Sequence, residues 1–306
     1  MKKDEKIPYK FESLSELHRM LGLPKPLHPL ISLVENNDNN IDTSKLPNPR
    51  ISTFYKISYK NKLQGKLKYG QHYYDFDEGG LFFVSPNQVV ANDADNNGDH
   101  SGYTLLIHPD FFLTYPLAKK IKQYGFFSYS ADEALHLSDN EKATIISIFK
   151  IIEDELKSRI DDFSHDVIIS QIELLLNYSN RFYKRQFITR KAVNSDLLQK
   201  LEEILDDYFN NEKSLLQGLP TVQYLSEHMN MSAGYLSDML RSLTGQNAQQ
   251  HIHEKLIEKA KEKLSTTSLS VSEVAYELGF EHPQSFSKLF KTKTNISPLE
   301  FRQSFN

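Results

Sequence analysis

Gln284, Ser287, Lys288 and Lys291 fall at i, i+3, i+4 and i+7, so on a helix they share one face. An amide, a hydroxyl and two ammonium groups in that row can hydrogen-bond base edges and pair with phosphates. A polar helix face is more often simply solvated, so the stripe alone decides little. Phe286, Leu289 and Phe290 supply its apolar complement. Fifty residues earlier the same register turns Gly234, Ser237, Asp238 and Arg241 outward, with Leu236, Met239, Leu240 and Leu243 inward. Other chemistry is scarce. Cysteine is absent, which removes disulfides, thiolate metal sites, iron–sulfur clusters and thiol nucleophiles. His251 and His253 are two residues apart, and on a helix their side chains diverge by ~200°, so solvent exposure is expected rather than joint ligation. His72 has no second histidine two residues on and no His/Glu set after it. No metal and no other cofactor is expected.

The elements that must carry these stripes form an internal repeat. Residues 221–241 read TVQYLSEHMNMSAGYLSDMLR and residues 271–291 read VSEVAYELGFEHPQSFSKLFK. At a fixed offset of fifty, Glu227 meets Glu277, Leu236 meets Phe286 and Arg241 meets Lys291. Each copy predicts a helix, a tight turn and a second helix. In the second copy Ser270 and Glu273 form a capping box, and Ala275 is small enough for a crossing helix. Gly279 sits where the chain must turn, and Asn295 can end the next helix in the left-handed conformation. Residues 248–264 would span roughly 25 Å as a helix at ~1.5 Å per residue. That length suits two units reading major-groove faces about 34 Å apart. Simple helical packing is the bland alternative, but it leaves two matched polar stripes unexplained.

At 306 residues, 39% hydrophobic and 25% charged, the chain is expected to form two globular domains. A net charge of -4 argues against nonspecific coating of nucleic acid; a specific binder needs only a local basic face. Residues 218–306 carry nine Lys+Arg and nine Asp+Glu, so electrostatic attraction should be modest and affinity should lean on dimerisation. The charged N-terminus lacks an apolar core for a signal peptide, and the most apolar run, 145–152, contains Lys150. A soluble cytoplasmic protein without membrane contact is expected.

Residues 51–59 alternate Ile51, Thr53, Tyr55, Ile57 and Tyr59 against Ser52, Phe54, Lys56 and Ser58. With 67–74, 81–85 and 103–108 they predict short strands of a small barrel or sandwich. Tyr55, Tyr69 and Phe83 alternate toward its interior, as core or as the lining of an effector pocket. Residues 36–40 and 92–99 read as solvated loops. A capping box at Ser138 and Glu141 opens a helix carrying Ile145, Phe149, Ile152 and Leu156. A second helix, 164–186, carries Ile168, Ile172, Leu175 and Leu176, and the pair predicts an antiparallel hairpin. Residues 188–195 read as a linker between domains 1–187 and 196–306. Beyond it, Leu197, Leu201, Ile204, Leu205 and Tyr208 predict an amphipathic helix.

Residues 219–306 resemble the DNA-binding domain of AraC/XylS-type transcription regulators. The order Val274-Ala275, Leu278-Gly279-Phe280, Ser285-Phe286, Phe290-Lys291, Ser297-Pro298 and Phe301-Arg302 carries the resemblance. It implies helix-turn-helix units at 221–243 and 271–292, joined by a linker helix at 248–264, with their second helices in adjacent major grooves of double-stranded DNA. The implied contacts are Ser232, Gly234, Tyr235, Ser237, Asp238 and Arg241 in the first. In the second they are His282, Pro283, Gln284, Ser285, Ser287, Lys288 and Lys291. Gly234 and Asp238 stand where many relatives carry longer or cationic side chains. An acid can accept from cytosine N4 but is repelled by phosphate.

The segment GGLFFVSP at 79–86 is similar to a cupin-type strand of this family's regulatory domains. The fold class implied is α+β, with a cupin-like β-barrel and helical hairpin before the all-α reader. That resemblance implies a small-molecule effector, a homodimer formed through the hairpin and, for an activator, contact with RNA polymerase. No catalysis is implied. A cupin-type metalloenzyme would need a metal set, and an alkyl-transfer repair protein would need a cysteine acceptor. The sequence lacks both.

Overall fold

A computed structural model describes residues 7–36, 46–61, 66–69, 72–75, 79–90, 101–130, 133–158, 163–189, 191–211 and 213–305. They divide into two units, Met1–Gln186 and Phe187–Asn306. In the first, β1 (Tyr9–Phe11) leads to α1 (Leu14–Met20), whose N-cap Ser13 accepts the Glu16 N–H at 3.2 Å. Then come β2 (Ile31–Asn36), β3 (Arg50–Ser52), β4 (Tyr55–Lys60), β5 (Lys66–Tyr69), β6 (His72–Asp75), β7 (Gly80–Val84), β8 (Val89–Val90) and β9 (Gly102–Ile107). Short 3-10 turns, α2 (Leu117–Lys120) and β10 (Leu135–His136) precede the hairpin of α3 (Asp139–Lys157) and α4 (Ser164–Thr189).

The sheets run β10-β7-β4-β9-β2, β1-β3-β8 and β5-β6. Among the described residues these strands do not close into one barrel. The single strand expected over 51–59 is two strands in different sheets, β3 and β4, because apolar alternation continues across the break at Thr53 and Phe54. The expected 67–74 is a hairpin of β5 and β6, and the loop expected at 92–99 lies outside the described residues.

In the five-stranded sheet Ile57 pairs with Phe83 on one side and Leu105 on the other, and all three are buried. That face meets an aromatic layer. Phe83 lies 4.4 Å from Phe126 and 5.4 Å from Phe127 between ring centroids, and Tyr103 stacks on Phe149 of α3 at 5.5 Å. Both expected helical stripes are buried in this unit, Ile145, Phe149, Ile152 and Leu156 on α3 and Ile168, Ile172, Leu175 and Leu176 on α4. Glu141 accepts the Ser138 N–H at 2.9 Å and pairs with Arg185 of α4 at 2.6 Å, which fixes the start of α3 against its neighbour.

The second unit is helical: α5 (Lys191–Asn210), α6 (Lys213–Gln217), α7 (Val222–Met229), α8 (Ala233–Thr244), α9 (Ala248–Thr266), α10 (Val271–Glu277), α11 (Pro283–Thr294) and α12 (Pro298–Gln303). The stretch expected as a linker is helical backbone at 188–189 and 191–195. It contains neither proline nor glycine, the two residues least favourable to a helix. Leu197, Leu201, Leu205 and Tyr208 bury the expected face of α5. Leu256, Ala260, Val274, Ala275, Leu278, Phe286 and Phe290 share one core cluster around α9, α10 and α11.

Candidate nucleic-acid interface

Matched local chemistry builds both helix-turn-helix units. Thr221 accepts the Tyr224 N–H at 3.0 Å to start α7, and Ser270 accepts the Glu273 N–H at 3.2 Å to start α10. Glu273 returns the bond, accepting the Ser270 N–H at 2.6 Å, and this bond holds its carboxyl below the usual range. Both first helices end in a left-handed residue, Asn230 with φ 55° and Gly279 with φ 93°. Met231 N–H then donates to Ser226 O at 2.9 Å, and Phe280 N–H donates to Ala275 O at 3.0 Å. Ser226 and Ala275 are both buried, and each is small enough for the crossing helix.

These equivalences correct the fixed offset of fifty. The first helices match at forty-nine, pairing Thr221 with Ser270 and Asn230 with Gly279. The second helices match at fifty, starting at Ala233 and Pro283 and ending at left-handed Gly245 and Asn295. Glu227 is therefore equivalent to Tyr276 rather than to Glu277. The extra residue lies in the second turn, which runs from Gly279 to the N-cap His282 where the first runs from Asn230 to the N-cap Ser232.

On α11, His282, Gln284, Ser285, Lys288 and Lys291 are exposed, while Pro283 and Ser287 are partly so. On α8, Arg241 is exposed and Gly234, Ser237 and Asp238 are partly exposed. Ser232 is half-buried and caps α8, its hydroxyl accepting the Tyr235 N–H at 3.2 Å. Tyr235 itself is a correction: at 1% exposure it belongs to the core with Leu236, Met239 and Leu240. It lies four residues before Met239 and so continues the apolar stripe rather than the polar one.

Charge is distributed unevenly between the two second helices. Lys255, almost buried, meets Asp206 at 3.0 Å, Glu202 at 3.2 Å and Glu258 at 3.4 Å. Burial works against its charge, but hydrogen bonds to Asp206 and Glu202 outweigh that and raise its pKa. Lys259 pairs with Asp206 and Glu262, and Lys263 with Glu277 at 2.6 Å. Arg241 pairs with Asp238 at 2.9 Å on its own helix. Arg302 donates to Leu264 O, and Lys261 stands over the Phe301 ring. Among the described residues of α8 and α11, Lys288, Lys291 and Lys293 make no ion pair, and all three are on α11. Lys293 falls outside the stripe at 284, 287, 288 and 291; the run Lys291-Thr292-Lys293 is its only sequence signal.

His251 and His253 are half-buried rather than exposed, and they hydrogen-bond separately, His251 to Thr244 and His253 to Gln249, each at 2.9 Å. Tyr55 and Phe83 are buried on the face packed on Phe126 and Phe127. The side chains of Tyr69 and His72 lie outside the described residues.

A repeated capped helix, left-handed turn and polar second helix define a double helix-turn-helix DNA-binding unit. The family described as a helix-turn-helix domain matches residues 225–304. The chain is 24% identical over 142 residues to a histidine kinase, P4, of Formosa agariphila, covering 46% of this chain and 10% of the kinase. It is 24% identical over 265 residues to the HTH-type transcriptional regulator YfiF of Bacillus subtilis, covering 83% of this chain and 78% of the relative. It is 28% identical over 141 residues to the transcriptional activator RhaS of Salmonella paratyphi B, covering 46% of each. The chain thus spans a tenth of the kinase and under half of RhaS. The solved DNA-binding domain of AdpA, in complex with a target DNA, is 26% identical over 35% of this chain and 92% of that one, with TM-score 0.30. The C-terminal unit is a member of the AraC-type helix-turn-helix family.

Proposed function

We propose that the chain is a transcription regulator that lays α8 and α11 into adjacent major grooves of double-stranded DNA. The observation that carries this is the pair of matched units joined by one continuous helix. α9 has 19 residues, about 28 Å at ~1.5 Å per residue, near the 34 Å of one duplex turn. In this reading Gly234, Ser237 and Asp238 of α8 and Pro283, Gln284, Ser287 and Lys288 of α11 face base edges. Arg241 and Lys291, further along their helices, contact phosphate, and Ser232, His282 and Ser285 flank the helix starts. The N-terminal unit serves as a cupin-like sensor of a small molecule, and α3 and α4 pair two copies of the chain. The regulator acts in the cytoplasm without catalysis, and as an activator it would meet RNA polymerase there.

Footprinting with two variants tests the reading. The intact chain should protect two major-groove segments on one face of the DNA, without inverted symmetry inside one monomer's site. Gln284→Ala should cost about 1–3 kcal/mol at one base pair only. A single protected groove, or a palindromic half-site with one helix per chain, would leave only one unit reading DNA.

A further inference from the structure

The two faces of β4 differ. Tyr55, Ile57 and Tyr59 enter the aromatic core, whereas Lys56, Ser58 and Lys60 line a cavity of about 220 Å³ on the other side of the sheet. Arg50 and Ile51 of β3 also line it, with Leu17, Leu21 and Leu106 among its apolar walls. At ~30 Å³ per water its volume is roughly seven waters, which suits a small metabolite.

Its polar complement is one-sided. Lys56, Lys60 and Arg50 are cations, and no described lining residue is acidic. Among the described residues Lys56 has no carboxylate partner. Burial, followed by the charges of Arg50 and Lys60, pushes its pKa down to about 8. In the same lining Asn36 Nδ2 donates to Thr104 at 3.0 Å, and Asn36 Oδ1 is a buried acceptor without a partner, which suits a hydroxyl or N–H donor on the ligand and not its anionic head. A cation held in an apolar cavity costs stability, and among the described residues none gives Lys56 a carboxylate counter-charge.

We propose that this cavity binds a small organic anion, with a carboxylate or phosphate head against Lys56 and an apolar body along Leu17, Leu21 and Leu106. The proposal rests on the reading of the N-terminal unit as a sensor and names the class of molecule sensed. Tyr55 and Phe83, on the other face, contribute only by packing.

The full-length chain should be titrated calorimetrically and by thermal shift with three matched sets. These are butanoate to octanoate with benzoate, the phosphate esters of the same bodies, and their neutral amides and alcohols with simple sugars. One anionic set should bind at least tenfold tighter than its neutral counterparts, and the set that binds identifies the head group. Lys56→Met should weaken that binding at least tenfold while raising the melting temperature of the unliganded chain. A Lys56→Gln variant covers a failure of Lys56→Met to fold, and the comparison of anions with amides needs no variant. Equal binding of a neutral isostere, or unchanged anion affinity in both variants, overturns the anion assignment and leaves a sensor. No binding from any set overturns the sensor reading itself.

Discussion

Gly279 lies so close to Gly218 that a methyl group on it would sit 2.6 Å from the Gly218 carbonyl carbon and 2.7 Å from its oxygen. The Ser214 carbonyl oxygen would be 2.8 Å away, and the Ser214 hydroxyl already donates to Glu277 O at 2.7 Å. The turn of the second helix-turn-helix is therefore seated on the segment that follows α6, backbone against backbone.

Two costs at Gly279 can be separated. Asparagine tolerates the left-handed conformation, so Gly279→Asn meets mainly the clash and should lose about 1–3 kcal/mol. Gly279→Val adds the strain of a β-branched residue at positive φ, for a total of about 2–6 kcal/mol. Asn230→Gly, at the equivalent turn, should change stability by less than about 0.5 kcal/mol. Urea unfolding of the three variants gives the comparison; equal losses for asparagine and valine at 279 but none at 230 would confirm that contact, rather than φ, dominates.

The helical parts of this architecture were legible because a capping residue and a 3.6-residue stripe report the same boundary. Ser138, Ser270, Phe286 and Ile152 all sit as their spacing predicts. The strands were less so. β4 is covered on both faces, and alternation separates those faces without saying which one holds the cavity. The aromatic residues marked one face as special, but Phe112, Phe126 and Phe127, which cover it, come from short 3-10 turns with no period to read. Tyr235 enters the contact set only through the family resemblance, whereas its spacing, four residues before Met239, puts its ring on the apolar face.

Acid should unfold the C-terminal unit through its caps and its α5–α9 pairing. Backbone N–H bonds from Ser270 and Ser297 lower the pKa of Glu273 and Glu300. Burial raises that of Asp206, but Lys255 and Lys259 outweigh it and the net shift is downward. A folded carboxyl pKa below its unfolded value means stability fully present above about pH 4 and lost as pH falls through the lower folded values. Circular dichroism melts between pH 6 and pH 2 should show Tm falling only below about pH 4. Glu273→Gln with Glu300→Gln should flatten that fall.

The salt dependence of DNA binding should distinguish the unpaired lysines from the paired ones. Lys288→Ala, Lys291→Ala and Lys293→Ala should each lower the slope of log affinity against log salt by about one wherever the side chain meets a phosphate. Lys263→Ala should leave the slope unchanged, since Glu277 already neutralises that charge. Titrations by fluorescence anisotropy from 50 to 200 mM salt would measure this, and an equal effect of Lys263→Ala would place the contact surface elsewhere.

Asp238 and Arg241 should show the sharpest division between specificity and affinity. Their side chains pair at 2.9 Å and both are partly exposed, so the pair itself adds little stability. Its consequence lies on DNA. Arg241 is the only cation of α8, and Asp238 offsets it while facing base edges. Asp238→Ala should remove preference for one C·G pair, about 1–3 kcal/mol. It should also tighten binding to every other sequence severalfold and steepen the salt slope by about one, because Arg241 is no longer offset. Adding Arg241→Ala should erase the gain on nonspecific duplex but not restore the lost base preference. Anisotropy titrations on the operator and its single-pair variants resolve both effects. If the salt slope of Asp238→Ala equals that of the parent chain, Arg241 does not touch a phosphate, and α8 reads DNA without an electrostatic anchor.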